Sequence, residues 1–378
     1  MDMLIASKYL LADMTTALDV HGREHLVIVV KASWQIPHSG QRPRPVVPTA
    51  LLQADDFFGE PGESALRYGS DFARYKPRCD VLFDACAHAP QAQAVTELVA
   101  GFRIGSLQKG LQVIGARQWR KTLGIYTLSK PQSFTSMPLH YGLAFGGTRT
   151  YQKGSGEKTQ ILTEALLSNP AGIGWGGSKT GGDLDGVAAP CLQALGESIS
   201  SPTGKYAPVA LSAVAGHWEP RTRYTGTYDE RWQQEICPFL PEDFDEQYHQ
   251  CAPQDQQIAY PKGGEEVVLY NMMVGREHVS FKLPRLDRMQ IRILRKDYSV
   301  VTPEAVVDTL YFETEKQRFS AIWRVSVPIR RRIQEFDTIA IGPVDVGWWQ
   351  NKIIGLNGEG CAGCGNSTHS STGAEEQA

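Results

Sequence analysis

Leu26-Val-Ile-Val-Val30 decides the fold class. All five residues are apolar and four are β-branched, which is how a strand covered on both faces reads. Working outward, the run extends to Ile36 and is stopped by Pro37. Before it lie the turn formers Asp19-Val-His-Gly-Arg23 and a second apolar run, Leu4–Leu18, so the first 36 residues predict a β-hairpin. Gly40–Pro48 holds three prolines and two arginines and predicts an extended loop.

The same signals recur downstream. Cys79–Ala87, Val95–Ile104 and Lys109–Trp119 predict an antiparallel meander, with Gly110 as a turn. Strand periodicity returns at Val267–Met273, His278–Leu283, Met289–Leu294, Val306–Phe312 and Phe319–Pro328. Between these ends the chain is rich in glycine and proline, with helical pieces predicted at Thr159–Leu167, Tyr228–Glu235 and Pro241–His249. The expected class is mainly β, α+β with few short helices: antiparallel sheets in sandwich-like halves around a long glycine-rich loop region. Residues 1–130 form an N-terminal β region, 131–265 the loop-rich middle and 266–356 a C-terminal β region packing on the first. Residues 357–378 read as a disordered tail. Gly-Arg-Glu-His occurs at Gly22–His25 and Gly275–His278, each time before a strand, but one shared tetrapeptide without a fixed period does not establish a repeat.

With 378 residues, 38 lysines and arginines against 41 acids, and a net charge of −3, the chain has no electrostatic footprint for nucleic acid or an anionic membrane. No apolar stretch is long enough for a spanning helix. The N-terminus lacks a basic segment before an apolar one, and the seven cysteines are scattered, so a cytoplasmic location is expected.

Each motif that suggests chemistry lacks its structural context. His21-Gly-Arg-Glu-His25 has the H-x-x-E-H spacing of a zinc site, but that site needs a helix and this one lies between strands. Gly172-Ile-Gly-Trp-Gly-Gly177 has G-x-G-x-x-G spacing, but turn residues flank it on both sides where a strand and a helix are required. Cys361-Ala-Gly-Cys364 is a single pair in the tail. Asp71, Asp80, Asp229, Asp243 and Asp255 could supply paired carboxylates for a hydrolase. Beside Gly, Pro and Thr, such residues more simply close turns by accepting backbone N–H bonds. The tryptophans read as packing residues, with Trp348 and Trp349 the most exposed of them. No metal and no cofactor is expected.

Taken together and in order, these motifs resemble the bacterial family called domain of unknown function 2169, found with type VI secretion genes. The matching positions are Asp71, Lys76-Pro77 and Asp80, then Gly105, Lys109, Gly115, Arg117 and Trp119. Met137-Pro138, Tyr141, Phe145-Gly146-Gly147, Asn169-Pro170, Gly172, Gly174 and the neighbouring Trp175 follow. Thr227, Asp229, Trp232, Asp243, Asp255-Gln256, Asp308-Thr309 and Trp323-Arg324 complete the series. The resemblance implies an adaptor or chaperone that holds a type VI effector, often one tied to a PAAR tip protein, and delivers it to the VgrG spike. It carries over no catalytic residues; the motif positions are expected to scaffold loops or meet the partner. The rival readings are a hydrolase built on the aspartates and a structural accessory of the secretion apparatus.

Overall fold

The run Leu26–Val30 lies inside the strand Glu24–Gln35, and all five residues are fully buried. In the computed structural model, which describes residues 1–153, 160–177 and 183–355, the two faces of this strand meet different neighbours. Leu26, Ile28 and Val30 enter the main core, while Val27 and Val29 pack with Ile322 under Ala17, Leu51 and Phe72. Double coverage is why the run carries no polar alternation.

The molecule is mainly β. Its largest sheet has seven strands, five of them in the order Leu10–Leu18, Glu24–Gln35, Arg318–Pro328, Val306–Glu313, Cys79–Asp84; Gln257–Ile258 extends the path and Arg44–Val46 pairs with Glu24–Gln35. Strands from both ends of the chain therefore share one sheet. Most neighbours are antiparallel, but Val306–Glu313 and Cys79–Asp84 run parallel, with Thr309 opposite Asp80. A five-stranded sheet pairs Leu192–Ala194, Leu107–Ile114, Glu97–Ile104, Glu266–Met273 and Arg276–Lys282 in that order. Aromatic rings join the two sheets: Phe83 lies 4.5 Å from Phe102 and Phe319 lies 5.5 Å from Phe281, while Phe83 also stacks 4.9 Å from Phe312 of its own sheet. Each such contact adds roughly 0.5–1.5 kcal/mol beyond the area it buries.

The structure corrects several local expectations. The first apolar arm divides at a turn where Leu10 N donates to Ser7 O; Asp2–Ile5 leaves to pair in parallel with Phe336–Ile341, and only Leu10–Leu18 forms the hairpin. Gly40–Pro48 is not wholly loop, because Arg44–Val46 pairs with Ser33–Gln35. Gly110 is not a turn: it sits mid-strand opposite Gly101, and the reversal falls at Gly105, whose φ is +56°. The meander also breaks at Gly115, after which Arg117–Thr122 joins another sheet. Thr159–Leu167 is not a helix: Gln160–Ala165 is a strand paired with Thr148–Lys153, and Thr159 lies outside the described residues. Its Ile161 and Thr163 are β-branched, and a cross-strand partner outweighed the apolar spacing.

The helical turn expected at Tyr228–Glu235 forms later, at Trp232–Ile236. Pro241–His249 contains only the short turn Glu246–His249, because Asp243 and Asp245 are used as side-chain acceptors instead of opening a longer helix. Trp349 is buried with Leu294, Ala340 and Val344, and only its neighbour Trp348 is partly exposed. The tail from residue 357 and its Cys361/Cys364 pair lie outside the described residues.

Gly101 gives a direct test of the hairpin Glu97–Ile104/Leu107–Ile114. A Cβ there would stand 2.4 Å from Lys109 O and 2.8 Å from Gly110 Cα, both backbone atoms. Gly101→Ala is expected to cost about 1–3 kcal/mol in chemical denaturation; an unchanged midpoint would show that the two strands can separate at no cost.

Candidate functional site

The motif residues gather in three places. The first is a buried polar chain at the edge of the seven-stranded sheet. Asp80, fully buried, starts one strand and faces Thr309 of its parallel neighbour. Its carboxylate accepts from Lys76 Nζ at 2.9 Å, Gln250 Nε2 at 2.5 Å, Cys251 N at 2.8 Å and Ala252 N at 3.1 Å. Lys76 also donates to Thr309 Oγ1 at 3.0 Å, and Thr309 donates to Asp308 Oδ1 at 3.0 Å. Asp308 is ion-paired with Arg324, whose Nη1 donates to both Asp71 O at 2.7 Å and Ala73 O at 2.8 Å. Asp71 in turn accepts from Tyr68 Oη at 2.5 Å and Leu52 N at 2.8 Å. Pro77 stands between Lys76 and this strand, only half-buried.

Burial works against the Lys76 ammonium, but the Asp80 carboxylate, with Cys251 and Asp308, outweighs it and holds the pKa above the usual lysine value. For Arg324 burial likewise opposes the charge, and Asp308 and then Asp71 raise it. Burial, followed by the Asp71 carboxylate, pushes the Tyr68 hydroxyl well above its ordinary pKa, so it stays a donor.

Gln256 extends the same region. Its amide donates to Val81 O and Leu211 O, and its oxygen accepts from Lys109 Nζ at 2.8 Å; Lys109 also meets Asp255 at 2.8 Å. Burial lowers the Lys109 pKa despite Asp255. Gln250 was not among the sequence candidates, although it donates to Asp80 and accepts from Arg78 N at 2.9 Å. It lies 170 residues from Asp80, and no local pattern marks it.

The second group organises the glycine-rich turns. Asn169 is fully buried, and its Nδ2 donates to Tyr141 O at 2.9 Å and Phe145 O at 3.1 Å while its own carbonyl receives Gly147 N at 2.9 Å. A Cβ on Gly146 would lie 2.2 Å from Asn169 O, so only glycine permits this approach. Thr148 Oγ1 donates to Pro170 O, and Trp175 N to Gly146 O. The indole of Trp119 donates to Gly174 O at 2.9 Å, and Arg117 reaches Pro190 O at 3.2 Å and Gln193 Oε1 at 3.1 Å. The G-x-G-x-x-G segment is therefore packed against Trp119 and Pro190; residues 178–182 beyond it lie outside the described residues.

The third group closes an exposed loop. Asp243 accepts from Thr227 N at 2.9 Å and Thr227 Oγ1 at 2.7 Å; Asp229 accepts from Trp232 N at 2.8 Å, and the Trp232 indole donates to Phe239 O at 2.9 Å. His21 and His25 lie in and after a hairpin turn, both bonded to Asp19 rather than sharing a helix face. Among the described residues, no three His, Cys, Asp or Glu side chains are grouped as a metal site. A cleft of about 200 Å³ lies beside the Asp80 chain, lined by Gln250, Ala252, Tyr141, Arg221 and Tyr224 among others, with no carboxylate in its lining.

With this geometry in place, the comparisons with known proteins become informative. The profile of the family described as "Uncharacterized protein conserved in bacteria (DUF2169)" matches residues 21–324. The chain belongs to this family. The matched span runs from the hairpin turn before Glu24 to Arg324, so it takes in the whole buried chain from Asp71 to its final cation. No curated protein and no solved structure matches significantly. No helix among the described residues is long and apolar enough to cross a membrane.

Two outcomes are expected. Asp80→Ala strands the Lys76 ammonium and three further donors and should cost about 3–5 kcal/mol, whereas Lys76→Met combined with Asp80→Ala should cost less than the two single changes summed. Additive losses in that cycle would mean the pair is not coupled. Two histidines are expected to contribute to acid sensitivity. Burial, then Arg67, lowers His140 to about 4, and burial, then Arg221, Lys76, Arg324 and Arg74, lowers His249 to about 3. Because both values lie below the unfolded value near 6.5, protons bind the unfolded chain first. Their contribution to stability is fully present above about pH 6.5 and is lost as pH falls toward these values. His140→Gln with His249→Gln should flatten that decline in thermal melts between pH 7 and 4; an identical slope would remove both residues as its source.

Proposed function

We propose that this chain is an adaptor that holds a type VI secretion effector, one linked to a PAAR tip protein, and carries it to the VgrG spike. The reading rests on family membership and on the likeness of its ordered motifs to those of secretion-associated adaptors. The observation that supports it most is the division of labour in the middle of the chain. Asn169 and Gln256 turn inward and hold backbone, and Asp243 closes an exposed loop. Large apolar residues turn outward: Ile161 is 70% exposed, Leu167 65% and Tyr228 53%. Loops fixed by a rigid scaffold and carrying exposed aromatic and aliphatic groups suit recognition of another protein.

The hydrolase reading asks for two carboxylates converging in a cavity. Each aspartate it would use is engaged elsewhere: Asp71 with Tyr68, Asp80 with Lys76, Asp229 with Trp232, Asp243 with Thr227 and Asp255 with Lys109. This favours the adaptor over the hydrolase.

Co-expression with the effector encoded beside this gene should give a soluble complex recoverable by pull-down, and deletion of the gene should reduce secretion of that effector. Tyr228→Ala and Leu167→Ala should each weaken capture about tenfold at unchanged melting temperature. An effector that is not retained, or is secreted normally without this gene, would sink the proposal; a stable symmetric oligomer without effector would favour the structural-accessory reading.

A further inference from the structure

Lys31 interrupts the most apolar strand of the molecule, directly after Val30. It is 3% exposed. Among the described residues its ammonium makes a single long hydrogen bond, 3.4 Å to Ala50 O, lies 3.9 Å from Asp71 Oδ2 and stands 5.5 Å from the centre of the Tyr68 ring. Asp71 already accepts from Tyr68 and Leu52 N, so it gives Lys31 charge compensation and no short bond. An ammonium has three hydrogens to donate, and a buried donor without an acceptor is costly.

Lys31 lines a cavity of about 210 Å³, separate from the cleft beside Gln250. Two further donors share it. Arg67 contacts Asp56 through one terminal nitrogen at 3.1 Å, but its buried Nε has no hydrogen bond and stands 3.8 Å from Asp84. Tyr311 lines the cavity with no hydrogen-bond partner for its hydroxyl among the described residues. Burial, then Asp84 and Glu313, push the Tyr311 pKa far up, so that hydroxyl remains a donor. Glu313, the acid of the lining nearest Arg318, is held by Arg318 and Lys316 at 2.8 Å each.

We propose that this cavity is a binding site for a carboxylate on a short apolar stem. The lining has a surplus both of donors and of positive charge. Four cations, Lys31, Arg67, Lys316 and Arg318, line the cavity with two acids, Asp56 and Glu313, while Asp71 and Asp84 stand behind the lining near Lys31 and Arg67. A single negative charge with two acceptor oxygens fits that arrangement; a phosphate dianion fits less well, because Lys316, Arg318 and Arg67 are already engaged by Glu313 and Asp56 and leave Lys31, among the described residues, as the main free cation. Tyr68 and Tyr311, whose rings lie 4.5 Å apart, and Leu52 form an apolar wall for the stem. The volume is below that of a site for a whole metabolite; it accommodates a small free acid or the end of an acidic side chain. The site is independent of the adaptor reading and stands or falls without it.

The test is calorimetric titration of the full chain with butyrate, with inorganic phosphate and with chloride at matched ionic strength. Butyrate should bind saturably and raise the melting temperature, phosphate should bind at least about tenfold more weakly, and chloride should have no effect. Lys31→Met keeps the length of the side chain and removes the charge; it should fold and lose at least about tenfold in butyrate affinity. Should that variant not fold, Tyr311→Phe supplies the comparison, with a smaller loss expected. No saturable butyrate binding to the native chain, equal binding by phosphate, or unchanged affinity in the folded variant overturns the proposal. An acidic peptide titrated in parallel separates the two sources of the group: a response to butyrate alone assigns a small free acid, and a response to both assigns a side chain within reach of the cavity.

Discussion

A single buried carboxylate organises the centre of this protein. Asp80 accepts donors from Lys76, four residues before it, and from three consecutive residues, Gln250, Cys251 and Ala252. The backbone N–H groups of Cys251 and Ala252 belong to a segment with little regular structure, and a buried segment of that kind must find acceptors outside itself. Asp80 supplies them. It also fixes Lys76, which fixes Thr309, and through Asp308 and Arg324 the chain of contacts reaches the carbonyls of Asp71 and Ala73. The middle of the chain is thereby tied to strands from both ends.

Such a network is demanding. Every charge in it has given up water, and its members are stable only while each is paired. This accounts for the chemical type each of these residues has here. A carboxylate at position 80 is required because it must accept four donors at once; an amide would offer one acceptor oxygen and bring unwanted donors. The glycine turns follow the same logic on a smaller scale. Asn169 bonds two carbonyls and presents its own, and Gly146 leaves the space that this approach needs.

Lys31 stands apart from this economy. Lys76, Lys109 and Arg324 each have at least two short partners, whereas Lys31 has one long one. It lines a cavity with two other underused donors, so the imbalance is local and concentrated at one face of the sheet.

The sequence by itself determined the β class, the double-faced strand at Leu26–Val30 and the strands Val267–Met273, Val306–Phe312 and Phe319–Pro328, because periodicity and β-branching act over a few residues. The ordered motifs likewise pointed to the family. Only the tertiary structure decided which strands are neighbours: nothing local says that Val306–Glu313 lies parallel to Cys79–Asp84, or that Gly110 faces Gly101 instead of turning. Thr159–Leu167 had the spacing of a helix and became a strand at Gln160–Ala165 once Thr148–Lys153 offered it a partner. Gln250 was invisible for the same reason. Its role exists only because folding brings it beside Asp80 across 170 residues of chain, and contacts of that range are set by how the whole chain packs and not by any local pattern.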